Sequence, residues 1–231
     1  MEVIGLDGAT RALLRLWDAT DDAVADLGEG DWTRPLAPSG APAAVASAVL
    51  GTGGTDVAGL VAHLTGVHYA GPDRLRTALA VAHERAERAA LTSPPSGRVL
   101  EAQCLDMCLH AHDLHEALGL ELDPDATAPA AVAACRLVSE FVPRLLVRTG
   151  ARAACLRLLV RNGPDGAVVI DRVLRVGEGT VPTAEVDADA EAFLLLLAGR
   201  RSAGELADAG RIAWSGRGAE PLLGGVSLAG V

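Results

Sequence analysis

The sequence predicts an α+β protein in which residues 1–150 form a helical bundle and residues 151–231 form a small α+β domain. In the first part, apolar side chains recur every three to four positions, as they do on one face of a helix. In the second part, two segments with alternating apolar side chains flank a turn-forming stretch at 162–167, which is typical of a β-hairpin. Half of the 231 residues are hydrophobic, so the chain can bury a core of the necessary size. The change of period near residue 150 predicts the domain boundary.

The first part contains five predicted helices. Asp56 or Thr55 is positioned to cap the second helix, and Gly119 supplies a left-handed stop for the fourth. A Gly-, Pro- and Ala-rich loop, with a short helix over 43–50, separates the first two. The predicted helices cover residues 3–27, 56–69, 74–91, 98–118 and 129–146.

The second part combines strands and helices. Its first two strands form the hairpin, and an apolar helix then follows a third strand. A shorter helix and a last strand end the pattern. The predicted strands cover 155–161, 168–176, 183–187 and 211–215, and the predicted helices cover 188–199 and 202–209.

Composition excludes several classes of function. A net charge of −10 opposes nonspecific binding to nucleic acid, which depends on neutralising phosphates. All 20 basic residues are arginine, so the chain lacks the lysine that Schiff-base chemistry and Walker-type phosphate loops require. The apolar runs are too short to cross a bilayer, and the N-terminus does not resemble a signal peptide. We therefore expect a cytoplasmic protein without nucleic-acid or membrane partners.

A predicted helix carries the most informative residues of the chain. Asp106 and His110 lie four positions apart, so they project from one helical face and can share a divalent ion. His63 interrupts an otherwise apolar helix and is the candidate third ligand from elsewhere in the fold. Alternatively, His63 is an ordinary buried histidine that is satisfied by hydrogen bonds.

Other chemistry-bearing residues have plainer interpretations. His112 and His115 fall on other faces of the helix and are not expected to be ligands, while His68 and His83 are expected at the surface or at the rim of a site. Cys104 and Cys108 lie one helical turn apart and are predicted to be buried core residues. The four cysteines form no CxxC motif, and no disulfide framework is expected.

Three motifs in order give the chain a resemblance to a known family. The stretches are DWTRP (31–35), DVAGLVAHLTGVHYA (56–70) and LDMCLHAHDLHEALG (105–119). They resemble the DinB-like four-helix bundle of the mycothiol-dependent maleylpyruvate isomerases, and EVDADAEAFLLLLAGRRS (185–202) followed by GRIAWSG (210–216) looks like the sterol-carrier-like module that often follows that bundle.

This resemblance implies a zinc site and a thiol cosubstrate. His63 matches the first metal ligand and His110 the last, and Asp106 stands where the family usually has glutamate. The resemblance further implies that the thiol of mycothiol attacks a small electrophilic substrate, giving isomerisation or S-transfer. The site then takes a divalent ion, with zinc expected, and mycothiol.

Three more residues have expected roles around such a site. Asp113 would hydrogen-bond a liganding imidazole, or else cap or pair at the surface. Arg200 and Arg201 would steer a carboxylate-bearing substrate, or else be solvated surface residues. Two other functions remain open, namely a hydrolase in which Asp113 is the base for a metal-bound water and a non-catalytic binding module. The oligomeric state is expected to be a monomer or a homodimer.

Overall fold

The computed structural model describes residues 7–36, 56–67, 71–148, 154–163, 166–178 and 181–225. Within these ranges the protein has the predicted α+β fold, with helices before the sheet and further helices after its third strand. The helices are α1 (Gly8–Ala25), α2 (Val57–Thr65), α3 (Pro72–Thr92), α4 (Gly97–Leu118), α5 (Pro124–Arg148), α6 (Ala190–Leu197), α7 (Ala203–Asp208) and α8 (Glu220–Gly225). The strands are β1 (Ala154–Arg161), β2 (Val168–Val176), β3 (Ala184–Asp189) and β4 (Ile212–Ser215). The helix predicted over 43–50 lies outside the described residues.

Local capping interactions set the ends of the bundle helices. The carboxylate of Asp7 accepts a hydrogen bond from the backbone N–H of Thr10 (2.9 Å) at the start of α1. The carboxylate of Asp56 accepts one from the N–H of Gly59 (2.8 Å) at the start of α2, which confirms that cap. Helix α4 ends as predicted at Gly119, whose φ of 69° lies in the left-handed region that favours glycine.

The start of α5 differs from the prediction. The helix begins at Pro124, five residues before the expected start at Pro129. A proline fits the first position of a helix, where its missing N–H costs nothing, and both prolines carry this signal. Asp123 decides between them, because its carboxylate accepts a hydrogen bond from the N–H of Ala126 (3.3 Å) and its carbonyl accepts one from the N–H of Thr127 (3.2 Å).

The four strands form one mixed sheet with the order β2-β1-β3-β4. Strands β1 and β2 make the predicted antiparallel hairpin, β3 runs parallel to β1, and β4 is antiparallel to β3. Arg157 on β1 bridges its two neighbouring strands through ion pairs with Asp171 (2.6 Å) and Glu185 (3.3 Å). Inward-facing side chains such as Leu158 and Val186 are fully buried.

One buried cluster joins the bundle to the sheet. It runs from Leu16 on α1 and Val138 on α5 to Leu158 on β1 and Phe193 on α6, all 1% exposed or less. A smaller cluster packs α2 against α3 through Leu60 and Leu79. Separation of residues 1–150 and 151–231 into two domains stays a prediction. Along the described ranges, no helix combines the length and the apolar character needed to span a membrane.

Candidate metal centre

Helix α2 holds His63 at the edge of the bundle. Its residues Val57, Leu60 and Val61 are fully buried and fix the helix against α3. His63 follows them on a more exposed face and is half-buried. The apolar anchor therefore gives the imidazole a fixed position without enclosing it.

Helix α4 places Asp106 and His110 next to the imidazole of His63. The Nε2 atom of His110 lies 3.1 Å from Oδ1 of Asp106, as the spacing of four residues predicts. The rings of His63 and His110 are 4.8 Å apart between centroids and meet edge to face at 63°. One nitrogen from each histidine and one oxygen from Asp106 all lie within 4.8 Å of one another. The structure thus brings together the three residues that the sequence singled out.

These residues fit a divalent metal ion. Two imidazoles and one carboxylate form a mixed nitrogen and oxygen donor set that suits zinc and other first-row ions, and three protein ligands leave a position for another molecule. His110 is 3% exposed, and among the described residues its Nδ1 atom has no hydrogen-bond partner. An unsatisfied buried nitrogen costs about 1–3 kcal/mol, and a ligand bound to it would remove that cost.

The charge state of Asp106 also suits a metal ligand. Burial by itself raises the pKa of this carboxyl, but the hydrogen bond from His110 and the positive charges of His110 and His63 lower it more. The net pKa is below the ordinary value of 3.8, so the carboxylate is ionised at neutral pH. A divalent cation binds an ionised carboxylate beside neutral imidazoles, so metal binding would release any proton held by His63 or His110.

A cavity of about 460 Å³ opens beside this cluster. His63 and Asp106 form part of its wall, and the remaining wall comes from α1, Leu64 of α2, α3 with the segment after it, and the first half of α4. The other lining residues are mainly apolar or small: Thr10, Leu13, Leu14, Trp17, Leu64, Ala86, Ala89, Ala90, Ser93, Pro95, Val99, Gln103 and Met107. The cavity has room for a small organic molecule next to the two side chains.

Asp113 and Arg200 have a different arrangement from the one expected. Arg200 is only 1% exposed and is therefore not a solvated surface residue, while its role in steering a substrate stays a prediction. Its Nε and Nη2 atoms donate to the two carboxylate oxygens of Asp113 at 3.0 and 2.6 Å, and its Nη1 donates to the carbonyl of Ala198. The Asp113 carboxylate thus binds a guanidinium from the C-terminal part, rather than a liganding imidazole.

Arg201 makes a separate contact between α4 and the C-terminal part. Its Nη1 atom donates to Glu116 at 2.8 Å, and the side chain lines a second cavity, of about 630 Å³, together with Glu191 and Arg211. Neither Arg200 nor Arg201 lines the cavity at His63. The two arginines therefore connect α4 to the C-terminal part and have no described contact with the candidate metal centre.

The remaining described histidines on α4 contact groups other than the candidate metal centre. His112 lies 3.3 Å from Glu116, and His115 shares a hydrogen bond between Nε2 and the carbonyl of Ala19 (3.2 Å). Burial lowers the pKa of both imidazoles and outweighs the neighbouring carboxylates at His112 and the backbone hydrogen bonds at His115. His68 lies outside the described residues.

The cysteines near the cluster are buried thiols. Cys104 and Cys135 are fully buried and Cys108 is half-buried, and burial raises the pKa of all three, that of Cys104 to about 12. A thiol with such a pKa is protonated at neutral pH and is a poor nucleophile. The prediction that Cys104 and Cys108 are core residues agrees with this environment.

A second group of possible ligands was missed from the sequence. Nitrogen and oxygen atoms of Asp18, His83 and Glu87 lie within 4.8 Å of one another where α1 crosses α3. His83 is 14% exposed at its side chain, lies 3.0 Å from Asp18 and stacks on Trp17. The spacing of four residues between His83 and Glu87 was a visible signal, but only the packing of α1 on α3 adds Asp18.

Comparisons with protein-family models, with curated proteins and with solved structures found no match to this chain. The resemblance of its motifs to the mycothiol-dependent isomerases therefore stays a prediction.

Proposed function

We propose that this protein is a divalent-metal enzyme that uses a thiol cosubstrate, mycothiol, to isomerise or conjugate a small electrophilic molecule. The observation that carries the proposal is the convergence of His63, Asp106 and His110, of which His63 and Asp106 line the wall of a cavity. The motif resemblance supplies the identity of the thiol.

Each of the three side chains has a defined part in this proposal. His63 and His110 would bind the ion through neutral imidazole nitrogens, and Asp106 would contribute a negative charge. A bound divalent ion would lower the pKa of a thiol at the vacant position, so that the thiolate forms at neutral pH. The apolar cavity wall would exclude water and hold the electrophile beside that position.

The reaction would begin with attack of the thiolate sulfur on an activated double bond. A C–S bond forms, and the π electron pair moves toward the electron-withdrawing group of the substrate. Rotation about the resulting single bond and expulsion of the thiolate restore the double bond and give the isomer. Protonation without expulsion, or displacement of a leaving group, gives the S-conjugate.

The structure weakens the support for the hydrolase alternative. That mechanism needs a base beside a metal-bound water, and Asp113 was its candidate. Asp113 is 7% exposed and is paired with Arg200 at two points. Among the described residues that line the cavity, Asp106 is the only carboxylate, and it belongs to the ligand set.

Metal analysis of three purified proteins tests the centre. We expect one equivalent of zinc or another first-row ion in the wild-type protein and little in His110→Ala. The control is His83→Ala, which disrupts the second group of possible ligands and should leave the tightly bound ion in place. Equal metal content in wild type and His110→Ala, with circular dichroism showing both folded, would refute the proposed centre.

Thiol binding then separates the proposed chemistry from its rivals. In protein loaded with cobalt(II), coordination of mycothiol sulfur should add a sulfur-to-cobalt charge-transfer band in the near ultraviolet. The same titration with the serine analogue of mycothiol, which lacks sulfur, is the control. A loaded protein whose spectrum is indifferent to mycothiol would favour hydrolysis, and a protein that takes up no divalent ion would favour a binding module.

A further inference from the structure

The floor of the cavity beside His63 is apolar. Leu13, Ala90 and Met107 are each 5% exposed or less and form its buried part. Trp17 and Leu64 add a partly buried aromatic and aliphatic wall. A ligand that enters this cavity therefore exchanges water mainly for carbon atoms, which favours apolar groups.

The charges around the cavity are unusual for a site that would bind an acid. No arginine lines it, and the chain contains no lysine, so none of the described side chains in its wall carries a permanent positive charge. Two arginines have no described side chain. Arg152 lies outside the described residues, and Arg217 lies within them. Among the described residues of the wall, the only acidic side chain is Asp106.

A carboxylate would be poorly accommodated in these surroundings. Moving an anion from water into an apolar cavity is costly unless a cation or several hydrogen-bond donors pair with it. The guanidinium groups that were expected to supply this pairing are used elsewhere, because Arg200 is bound to Asp113 and Arg201 to Glu116.

We infer that the cavity binds an uncharged, mainly apolar electrophile, such as an α,β-unsaturated ester or ketone of aromatic size, rather than a carboxylate. That the ligand is an electrophile rests on the proposed function, whereas the preference for a neutral ligand follows from the cavity itself. The indole of Trp17 lines the cavity and gives it an aromatic side chain that can pack against a ring of the ligand. A volume of about 460 Å³ suits a molecule with one ring.

The test compares two probes that differ chiefly in charge. Methyl cinnamate and cinnamate are titrated calorimetrically at pH 7.5 into the full-length protein in the presence of EDTA. We expect the ester to bind at least tenfold more tightly than the anion. Equal affinities, tighter binding of cinnamate, or no binding of either probe would overturn the inference.

Two pairs of variants show whether this cavity is responsible. Gln103 is exposed at the cavity wall, so Gln103→Arg adds a cation there and should raise the affinity for cinnamate at least tenfold, whereas Gln103→Met should not. Ala86→Phe fills part of the cavity and should abolish ester binding, as should Ala89→Phe at a more exposed position. Ala80→Phe, on an exposed part of α3 outside the cavity, is the control. Retained ester binding in both folded cavity-filling variants would overturn the assignment.

The metal-free design separates the two proposals. Ester selectivity without any metal uptake would leave the neutral cavity standing and refute the metal enzyme. Metal and thiol binding together with a preference for cinnamate would support the metal enzyme and refute the neutral cavity.

Discussion

Asp113 on α4 and Arg200 after α6, which are 87 positions apart in the chain, form a buried ion pair with two parallel hydrogen bonds. Their side chains are 6% and 1% exposed, so neither charge reaches bulk water. The guanidinium also donates to the carbonyl of Ala198, which leaves it well satisfied. This pair fixes the helix that carries Asp106 and His110 to the C-terminal part of the protein.

Removing only one partner of this pair should strongly lower the free energy of unfolding. Asp113→Leu leaves the Arg200 charge buried without a counter-charge, and we expect a loss of about 3–5 kcal/mol in the free energy of unfolding. Arg200→Met should cost a similar amount. The double variant should recover at least half of the combined loss, since an apolar pair needs no compensating charge. Urea denaturation of all four proteins measures the cycle, and additive losses would show that the two side chains do not interact.

The carboxylate at position 106 should tolerate lengthening but not neutralisation. Asp106→Glu keeps the charge on the same helical face, and we expect it to retain the metal with similar or tighter affinity. Asp106→Asn removes the charge and should weaken metal binding by about 10–100-fold or more. Competition with a chromogenic chelator measures both affinities. Loss of metal in the glutamate variant would mean that the shorter side chain defines a different geometry.

His115 should make stability fall as the pH is lowered. Its folded-state pKa lies below 6.5, so between that folded value and 6.5 the unfolded chain binds more protons than the native one. The contribution of a neutral His115 to the free energy of unfolding is therefore complete above pH 6.5 and is lost below it. The free energy of unfolding should fall by at most about 1.4 kcal/mol per pH unit from this residue.

Urea denaturation between pH 5 and pH 7.5 measures this dependence. His115→Gln should show a shallower slope than wild type, with a remaining slope from His112, whose pKa is also lowered. The lowered pKa of Asp106 does not contribute here, because its effect falls below 3.8. An identical slope in the two proteins would contradict the role of His115.

Two glycines at similar backbone angles should respond differently to alanine. Gly119 has a φ of 69°, and no described atom lies within 4 Å of the place that an added Cβ would take. Gly119→Ala should therefore cost about 1–2 kcal/mol from backbone strain alone. Gly216 has a φ of 78°, and a Cβ atom there would overlap the carbonyl oxygen of Thr183. Gly216→Ala should lower the melting temperature clearly more than Gly119→Ala, and equal shifts would exclude the steric effect.

Much of the fold was accessible from the sequence because local forces set it. The stop at Gly119 and the cap at Asp56 involve atoms a few residues apart, and the hairpin follows from its alternating pattern and turn residues. A proline signal alone predicts a start of α5 at Pro129, whereas the capping contacts of Asp123 set the start at Pro124. The Asp106–His110 pair was likewise predictable, because helical periodicity alone places it.

The sequence by itself determined the order of helices and strands, the helical spacing of Asp106 and His110, and the absence of lysine. Only the tertiary structure decided that His63 approaches that pair, that Asp113 binds Arg200, and that the adjoining cavity has no described arginine in its wall. The physical reason is range. Hydrogen bonds and side-chain periodicity act within one or two turns of the chain, whereas contacts between distant residues depend on how whole helices bury their apolar faces against one another.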